Sequence, residues 1–276
     1  MKPLQIGVCS WSLRQPDLAT ALRVAKGQLG LELMQVGFFD DAVLDASGDR
    51  AVVDAVQASG VEVSATCVGF VGEDYSSIDA IAQTGGYRPD DQFAARLAKT
   101  IRVRDLTVAL GAPMMTTHIG FVPAAGSGSA YARMVERLKR VCDVLDEREI
   151  VLTMETGQES AEHLMQFIDD VNRPNIRVNF DPANMVLYGA GDPVEAVGIL
   201  GERIAHVHCK DARFSDSPGK TWGQEVPLGE GEANVPGVLS RLRQIGYAGP
   251  LVIEREGGDD RIGDVRAGIS FLQSLL

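Results

Sequence analysis

The feature that most constrains the fold of this chain is a regular alternation of short apolar runs with longer amphipathic segments. Eight short runs are rich in apolar and β-branched residues, which is typical of buried strands, and a segment with helical spacing follows each of them. The predicted strands are 4–9, 31–36, 61–67, 114–118, 150–155, 176–181, 205–209 and 251–254. The predicted helices are 17–28, 50–59, 92–110, 130–147, 160–171, 193–201, 235–245 and 263–275.

Eight strand–helix units in one unbroken series predict a parallel sheet that closes on itself. The alternative is an open, doubly wound sheet, which usually carries a glycine-rich phosphate turn after its first strand. The first strand here is followed by CSWSLRQPD, which has no G-x-G-x-x-G pattern. We therefore predict an α/β fold, a (β/α)8 TIM barrel, in which the eight units use residues 1–276 as a single domain.

Two long loops, 69–91 and 214–233, are rich in Gly, Ser, Pro and acidic residues, and both follow predicted strands. Loops in that position lie on the C-terminal rim of a TIM barrel, the face that carries active sites. We therefore expect these two loops to be candidate lids over a site.

The composition limits the partners of the chain. With 38 acidic and 26 basic residues the formal net charge is -12, which disfavours a nucleic-acid partner. No apolar run approaches the ~20 residues of a membrane span. The first residues show no signal-peptide layout, but the sequence is also compatible with a natural precursor from which a leader was cleaved. The four cysteines, at positions 9, 67, 142 and 209, have no close spacing and predict buried, reduced thiols. A cytoplasmic protein with neither a membrane nor a nucleic-acid partner is the expectation.

Chemistry-bearing residues stand at the ends of the last four predicted strands. Glu155 ends the fifth, Asp181 the sixth, His208 lies at the end of the seventh and Glu254 ends the eighth. The spacings of 26 and 27 residues each equal one strand-plus-helix unit, and the spacing of 46 equals one unit plus a long loop. The four side chains are therefore expected at the same height on neighbouring strands.

Three carboxylates and an imidazole directed at one point repel one another unless a cation neutralises them. This mixture of ligands favours one divalent ion of the Mn²⁺, Mg²⁺ or Co²⁺ kind, with Zn²⁺ less favoured. The competing interpretation is that each strand-end carboxylate only caps the following helix. Four such residues in consecutive units favour the metal site.

The chain resembles the xylose isomerase-like TIM barrel superfamily, the group of sugar phosphate isomerases and epimerases. The resemblance depends on METG, FDPANM, HVHCKDAR, PLGEGE and GYAGPLVIERE, with GVCSWSL as a weaker match, and it covers nearly the whole chain. It implies that Glu155, Asp181, His208 and Glu254 ligate one divalent metal. By resemblance to the ketose 3-epimerases of the group, Glu155 and Glu254 are also the catalytic residues that move the proton.

Such an enzyme would remove a proton next to a sugar carbonyl and pass through a metal-stabilised cis-enediolate. Return of the proton to the same carbon gives epimerisation, and return to the neighbouring carbon gives isomerisation. The sequence does not distinguish these outcomes, and it does not identify the sugar or say whether the sugar carries a phosphate or carboxylate.

Five further residues are predicted to contact substrate, each with a competing structural interpretation. Trp11 could stack on a sugar face or pack at the rim, and His118 could bind a hydroxyl or be a satisfied strand-end histidine. Asn184 keeps a polar contact where epimerases of the group often have a histidine. Lys210 and Arg213 could each hold an anionic group of the substrate. The competing interpretations are that Lys210 forms a salt bridge with a neighbouring acidic residue and that Arg213 is solvated. His206 is expected to face away from His208 and to pack outside the barrel.

Other functions remain in competition with the isomerase or epimerase. A metal-dependent lyase or dehydratase on a related keto-sugar or inositol would use the same enediolate. An apurinic endonuclease-like enzyme needs several more histidine ligands than a chain with four His can provide. A non-catalytic sugar-binding barrel would have an incomplete set of metal ligands, whereas all four candidate ligands are present in this sequence. The expected partner is a small carbohydrate, and relatives of this kind are commonly homodimers or homotetramers.

Overall fold

The eight predicted strands form a closed barrel in the computed structural model, which describes residues 4–41, 44 and 46–276. The barrel strands are β1 (Ile6–Cys9), β2 (Leu33–Phe38), β3 (Glu62–Val68), β4 (Met114–Thr117), β5 (Val151–Glu155), β6 (Ile176–Phe180), β7 (Ile204–Cys209) and β10 (Leu251–Ile253). All neighbouring pairs are parallel, in the order β1-β10-β7-β6-β5-β4-β3-β2. The (β/α)8 TIM barrel is therefore confirmed.

Helices surround the barrel, and their ends follow the capping chemistry of the sequence. They are α1 (Leu18–Leu29), α2 (Ala46–Ser59), α3 (Ile78–Thr84), α4 (Phe93–Ala109), α5 (Ser129–Asp146), α6 (Ala161–Val171), α7 (Pro182–Tyr188), α8 (Pro193–Leu200), α9 (Val235–Gln244) and α10 (Arg261–Leu275). The side chain of Asp17 caps α1 by accepting from the Thr20 amide, and Gly30 ends that helix with a φ of 69°. The helix α2 begins four residues before its predicted start.

Two short helices were not predicted. The helix α3 lies inside the loop 69–91, and α7 follows β6 directly, with Asp181 as its N-cap and Pro182 in its first turn. Both have seven residues, which is too few for a helical period to be distinguished from a loop. Because α7 starts where β6 ends, it lies on the rim of the barrel.

The core consists of the barrel interior and the layer between barrel and helices. Large side chains such as Met34, Phe167 and Phe180 are completely buried there. All four cysteines are buried and unpaired, which confirms the prediction of free thiols. Among the described residues, no helix combines the length and the apolar character needed to cross a bilayer.

The loop 214–233 is organised by a carboxylate. Asp211 begins a two-stranded antiparallel hairpin of β8 (Asp211–Arg213) and β9 (Gln224–Val226). One oxygen of Asp211 accepts hydrogen bonds from the amides of Gly229 and Gly231, and the other accepts from the amide of Ala233. The turn PLGEGEAN is thereby held against the end of β7, and the hairpin stands above the barrel rim.

Candidate metal centre and active site

The strands β5, β6, β7 and β10 are consecutive neighbours in the barrel, so their C-terminal ends bring four distant residues together. One ligand atom from each of Glu155, Asp181, His208 and Glu254 lies within 4.8 Å of the others. The imidazole is at the centre of the group: His208 Nδ1 lies 3.0 Å from Glu155 Oε1, 3.3 Å from Glu254 Oε2 and 3.8 Å from Asp181 Oδ2. This is the juxtaposition that the strand spacing predicts.

Asp181 uses its two oxygens for different purposes. Oδ1 accepts hydrogen bonds from the amides of Ala183 and Asn184 and so caps α7. Oδ2 is buried and has no hydrogen-bond partner, and the ammonium of Lys210 lies 3.9 Å from it. A buried carboxylate oxygen without a hydrogen bond is costly. An oxygen in that position, among three other acceptor groups, fits a divalent cation. The sequence offered helix capping and metal binding as competing interpretations of Asp181. Because each role uses a different oxygen, one side chain is compatible with both.

Neighbouring positive groups compensate the negative charge of the cluster. Burial raises the pKa of Glu155 to about 7, opposed by His208. Burial would also raise the pKa of Glu254, but Lys210 and His208 hold it well below its ordinary value. The ammonium of Lys210 lies 2.9 Å from Glu254 Oε2 and 2.6 Å from Glu256 Oε2. Lys210 thus lies beside the cluster, where it is hydrogen-bonded to two carboxylates and lies 3.9 Å from a third, Asp181 Oδ2.

A cavity of about 710 Å³ opens above this cluster. Its size lies in the range of ligand pockets. Aromatic side chains form much of its wall, namely Trp11, Phe39, Phe70, Tyr75, Tyr188 and Trp222. Tyr75 and Trp222 come from the two long loops, so both loops contribute to the cavity as the sequence predicts. A second cavity of about 550 Å³ beside α1 and α2 has mainly apolar walls and lacks this carboxylate cluster.

Trp11 and Asn184 each hold one of the two glutamates. The indole Nε1 of Trp11 donates to Glu254 Oε1 over 2.9 Å, and the amide Nδ2 of Asn184 donates to Glu155 Oε1 over 3.1 Å. Both residues also line the cavity. Because the donors come from the 3-10 helix Ser10–Leu13 and from α7, the carboxylates are oriented by elements outside their own strands.

His118 also lines the cavity, where its ring stacks on Tyr188 with the centroids 6.2 Å apart. The amide of Gln158 contacts the imidazole. Burial, together with the positive charge of Lys210, lowers the pKa of His118 to about 4. A neutral imidazole at this position can donate or accept a hydrogen bond to a sugar hydroxyl.

Two expectations differ from the structure. Arg213 is exposed at the end of β8 and donates to the carbonyl of Glu230, so it does not line the cavity with the other predicted residues. The prediction that His206 packs outside the barrel is wrong, because residues two apart on a strand share a face. His206 is completely buried and contacts Asn179 and Ser64.

Residues that the sequence reasoning missed also contact the site. Gln35 is a buried amide in β2 that contacts His208, and Glu256 reaches Lys210 from two residues beyond Glu254. Gln35 carried a detectable signal, since it is the single polar side chain in the apolar strand LMQVGF. Glu256 lies two residues after Glu254 in the motif ERE, and this spacing could have indicated that it also reaches the site.

The comparisons with known proteins agree with this geometry. The sequence pattern described as xylose isomerase-like TIM barrel matches residues 23–275. A crystal structure of a xylose isomerase domain protein from Planctomyces limnophilus is 35% identical with a TM-score of 0.89, covering 100% of this chain and 98% of that chain. A xylose isomerase-like TIM barrel protein from Mycobacterium smegmatis, in complex with magnesium, has a TM-score of 0.74 at 18% identity, over 99% and 96% of the two chains; this similarity shows the fold alone.

Among curated relatives, an L-ribulose 3-epimerase from Methylomonas sp. strain DH-1 is 23% identical over 192 residues, which is 65% of this chain and 63% of that protein. The chain thus spans less than two thirds of the length of the curated relatives it matches: 63% of this epimerase and 60% of a protein from Methanocaldococcus jannaschii. The family match over residues 23–275 nevertheless spans almost all of the 276 residues. The chain belongs to the xylose isomerase-like TIM barrel family, and its relatives include sugar epimerases.

Proposed function

We propose that this protein is a divalent-metal-dependent sugar isomerase or epimerase that transfers a proton at the carbon next to a carbonyl group. The observation that carries the proposal is the cluster of Glu155, Asp181, His208 and Glu254 beneath an aromatic-walled cavity. The unpartnered Asp181 Oδ2 supports a cation in the cluster. The similarity to an L-ribulose 3-epimerase supports a sugar as the substrate.

These four residues would hold the metal. Their set of three carboxylates and one imidazole favours Mn²⁺, Mg²⁺ or Co²⁺ over softer ions, with Zn²⁺ still within reach. When bound, the ion would act as a Lewis acid that polarises the sugar carbonyl and stabilises negative charge on the neighbouring oxygens. It would also compensate the mutual repulsion of the carboxylates.

The proton transfer is assigned to Glu155 and Glu254. One of these carboxylates takes the proton from the carbon next to the carbonyl, and the other returns a proton. Asn184 holds Glu155 and Trp11 holds Glu254 by hydrogen bonds, so both carboxylates approach the substrate in a defined orientation. Return from the opposite face to the same carbon inverts its configuration, whereas return to the adjacent carbon exchanges aldose and ketose.

The charge of the cavity supports an uncharged substrate. Five glutamates line it, at positions 73, 155, 225, 254 and 256. Among the lining residues that the structure describes, Lys210 is the only cation, and it already contacts Glu254 and Glu256. Apart from the proposed metal ion, a phosphate or carboxylate would therefore find no free positive side chain in a cavity lined by acidic residues. His118 and Asn184 remain as neutral polar contacts for hydroxyl groups, and Trp11 offers its ring face.

The test is exchange of substrate hydrogen in D₂O. The protein loaded with Mn²⁺ is incubated with ketopentoses and ketohexoses, and with their phosphates at equal concentration, and NMR follows deuterium at the carbons next to the carbonyl. We expect incorporation into a free sugar at a rate at least tenfold above that into the corresponding phosphate. Exchange with no sugar of either kind would refute the proton transfer, and preferential exchange into phosphates would refute the uncharged substrate.

The same experiment separates the chemistries. A new stereoisomer at the deuterated carbon identifies an epimerase, and an aldose product identifies an isomerase. Loss of water with a conjugated product would instead identify the lyase or dehydratase. Metal analysis provides the control against a multinuclear nuclease: one divalent ion per chain is expected.

A further inference from the structure

Beneath the candidate metal cluster, inside the barrel, lies a second layer of buried polar side chains. It contains Gln35 on β2, Thr116 on β4 and Thr153 on β5, all of them completely buried. These residues touch no part of the cavity, yet one of them contacts the imidazole of His208. The direction of each hydrogen bond in this layer can be derived from one end.

The carbonyl oxygen of Met115 can only accept, so the hydroxyl of Thr153, 3.3 Å away, donates to it. The Thr153 oxygen then accepts from the hydroxyl of Thr116 at 2.8 Å. Since the proton of Thr116 is used there, its oxygen accepts from the Gln35 amide nitrogen at 2.8 Å.

This direction fixes the orientation of the Gln35 amide. With Nε2 towards Thr116, Oε1 faces His208 and lies 2.6 Å from its Nε2 atom. A carbonyl oxygen cannot donate, so the imidazole carries its proton on Nε2. With Nε2 protonated, Nδ1 is the ring nitrogen left to ligate a cation, and it faces Glu155, Asp181 and Glu254.

We propose that Gln35 is a positioning residue which selects the Nε2-protonated tautomer of His208 and thereby prepares Nδ1 to ligate a divalent cation. The inference depends on the metal site of the proposed function but not on the sugar chemistry. Gln35 lies 173 residues from His208 in the sequence and does not line the cavity, so it would act on the site through the histidine that it contacts.

The first test uses the unaltered protein. In protein labelled with ¹⁵N-histidine and loaded with diamagnetic Mg²⁺, NMR determines which ring nitrogen of His208 carries hydrogen, with signals assigned from single His→Asn variants. We expect a slowly exchanging Nε2–H in the loaded protein. A proton on Nδ1 instead would overturn the inference, whatever the variants do.

The second test measures Mn²⁺ affinity by calorimetry. Gln35→Met keeps the size of the side chain but removes the acceptor, and we expect the dissociation constant to rise about 10- to 100-fold. Gln35→Glu keeps an oxygen towards Nε2 and should restore most of the affinity. Thr66→Val is the matched control, because it deletes a buried hydroxyl that bonds Thr107 in the layer between barrel and helices.

The outcomes are distinct. Equal Mn²⁺ affinity of Gln35→Met and the unaltered protein would overturn the positioning role while leaving the metal site intact. An equal loss in Thr66→Val would also overturn it, because the effect would then be one of general stability. Absence of Mn²⁺ binding in the unaltered protein would overturn both this inference and the metal site on which it depends.

Discussion

Trp11 and Glu254 are 243 residues apart in the sequence, and the indole nitrogen of the first donates to Oε1 of the second over 2.9 Å. The contact joins the beginning of the chain to its end, because β1 and β10 are neighbours where the barrel closes. It places a neutral donor on one carboxylate oxygen of Glu254, while Lys210 holds the other. The orientation of a proposed catalytic carboxylate thus depends on barrel closure.

Trp11→Phe removes this hydrogen bond and keeps an aromatic ring next to Phe39, which contacts Trp11 edge-to-face at 5.1 Å. A hydrogen bond to a charged group contributes about 1.5–3 kcal/mol, so kcat/KM should fall by about 10- to 100-fold. The rate of deuterium incorporation into the substrate measures this fall in kcat/KM. An unchanged rate would show that the indole nitrogen does not position Glu254.

Glu254→Gln removes both a proposed proton carrier and a negative charge next to Lys210. We expect the exchange rate to drop by at least about 10³-fold, the scale of acid–base catalysis by one group, while circular dichroism shows a folded barrel. Glu230→Gln, an exposed glutamate of the rim, is the matched control and should retain full activity. Substantial turnover by Glu254→Gln would remove this residue from the mechanism.

Asp181→Asn separates the capping role from the metal-binding role. The Asn side-chain oxygen can still cap α7, so stability should change by about 1 kcal/mol or less, but the unpartnered oxygen is lost. Mn²⁺ affinity should therefore fall at least 100-fold in calorimetry. Asp192→Asn alters the equivalent cap of α8, where the side chain accepts from Val194 and Glu195, and should leave affinity unchanged.

Divalent cations should stabilise the folded protein, since the ligand atoms converge only after folding. A cation at 100 times its dissociation constant adds about 2.7 kcal/mol, which corresponds to a rise in Tm of about 5–10 °C for a chain of this size. Scanning calorimetry with and without Mn²⁺ measures the shift. The same scan on Asp181→Asn should show little of it, and an equal shift would indicate binding elsewhere.

Glu159 should make stability fall as pH rises. It is nearly buried, it accepts a hydrogen bond from the Val122 amide at 2.8 Å, and burial raises its pKa from 4.5 to about 7. Between about pH 4.5 and 7 the folded state keeps a proton that the unfolded state has released, so the folded state becomes less stable by up to about 3 kcal/mol.

Urea unfolding at pH 5 and pH 8 tests this dependence on Glu159→Gln, which keeps an acceptor for Val122 and cannot ionise. The variant should lose less stability between the two pH values than the unaltered protein. Glu162→Gln, an exposed glutamate in the first turn of α6, is the control and should not alter the profile. Identical profiles of all three proteins would show that Glu159 does not ionise with a raised pKa.

The period of the chain explains why so much of the site was predictable. One strand-plus-helix unit separates Glu155 from Asp181 and Asp181 from His208, and parallel neighbours with equal units bring strand ends to one height. The same alternation predicted that Lys210, two positions after His208, lies on the same face as His208. The same alternation also places His206 inside the barrel, because it lies two positions before His208 on the strand. The prediction that it faces outward was therefore wrong.

The amino-acid sequence by itself determined the barrel and the convergence of the four candidate ligand residues, because both depend on local periodicity and on the equal length of successive units. Only the tertiary structure decided which neutral donors orient those residues, that Lys210 is paired with Glu254 and Glu256, and that Arg213 lies outside the cavity. Contacts such as those of Gln35 with His208 join strands far apart in the chain across the barrel interior. Their geometry arises from barrel closure and side-chain packing, for which no local pattern exists.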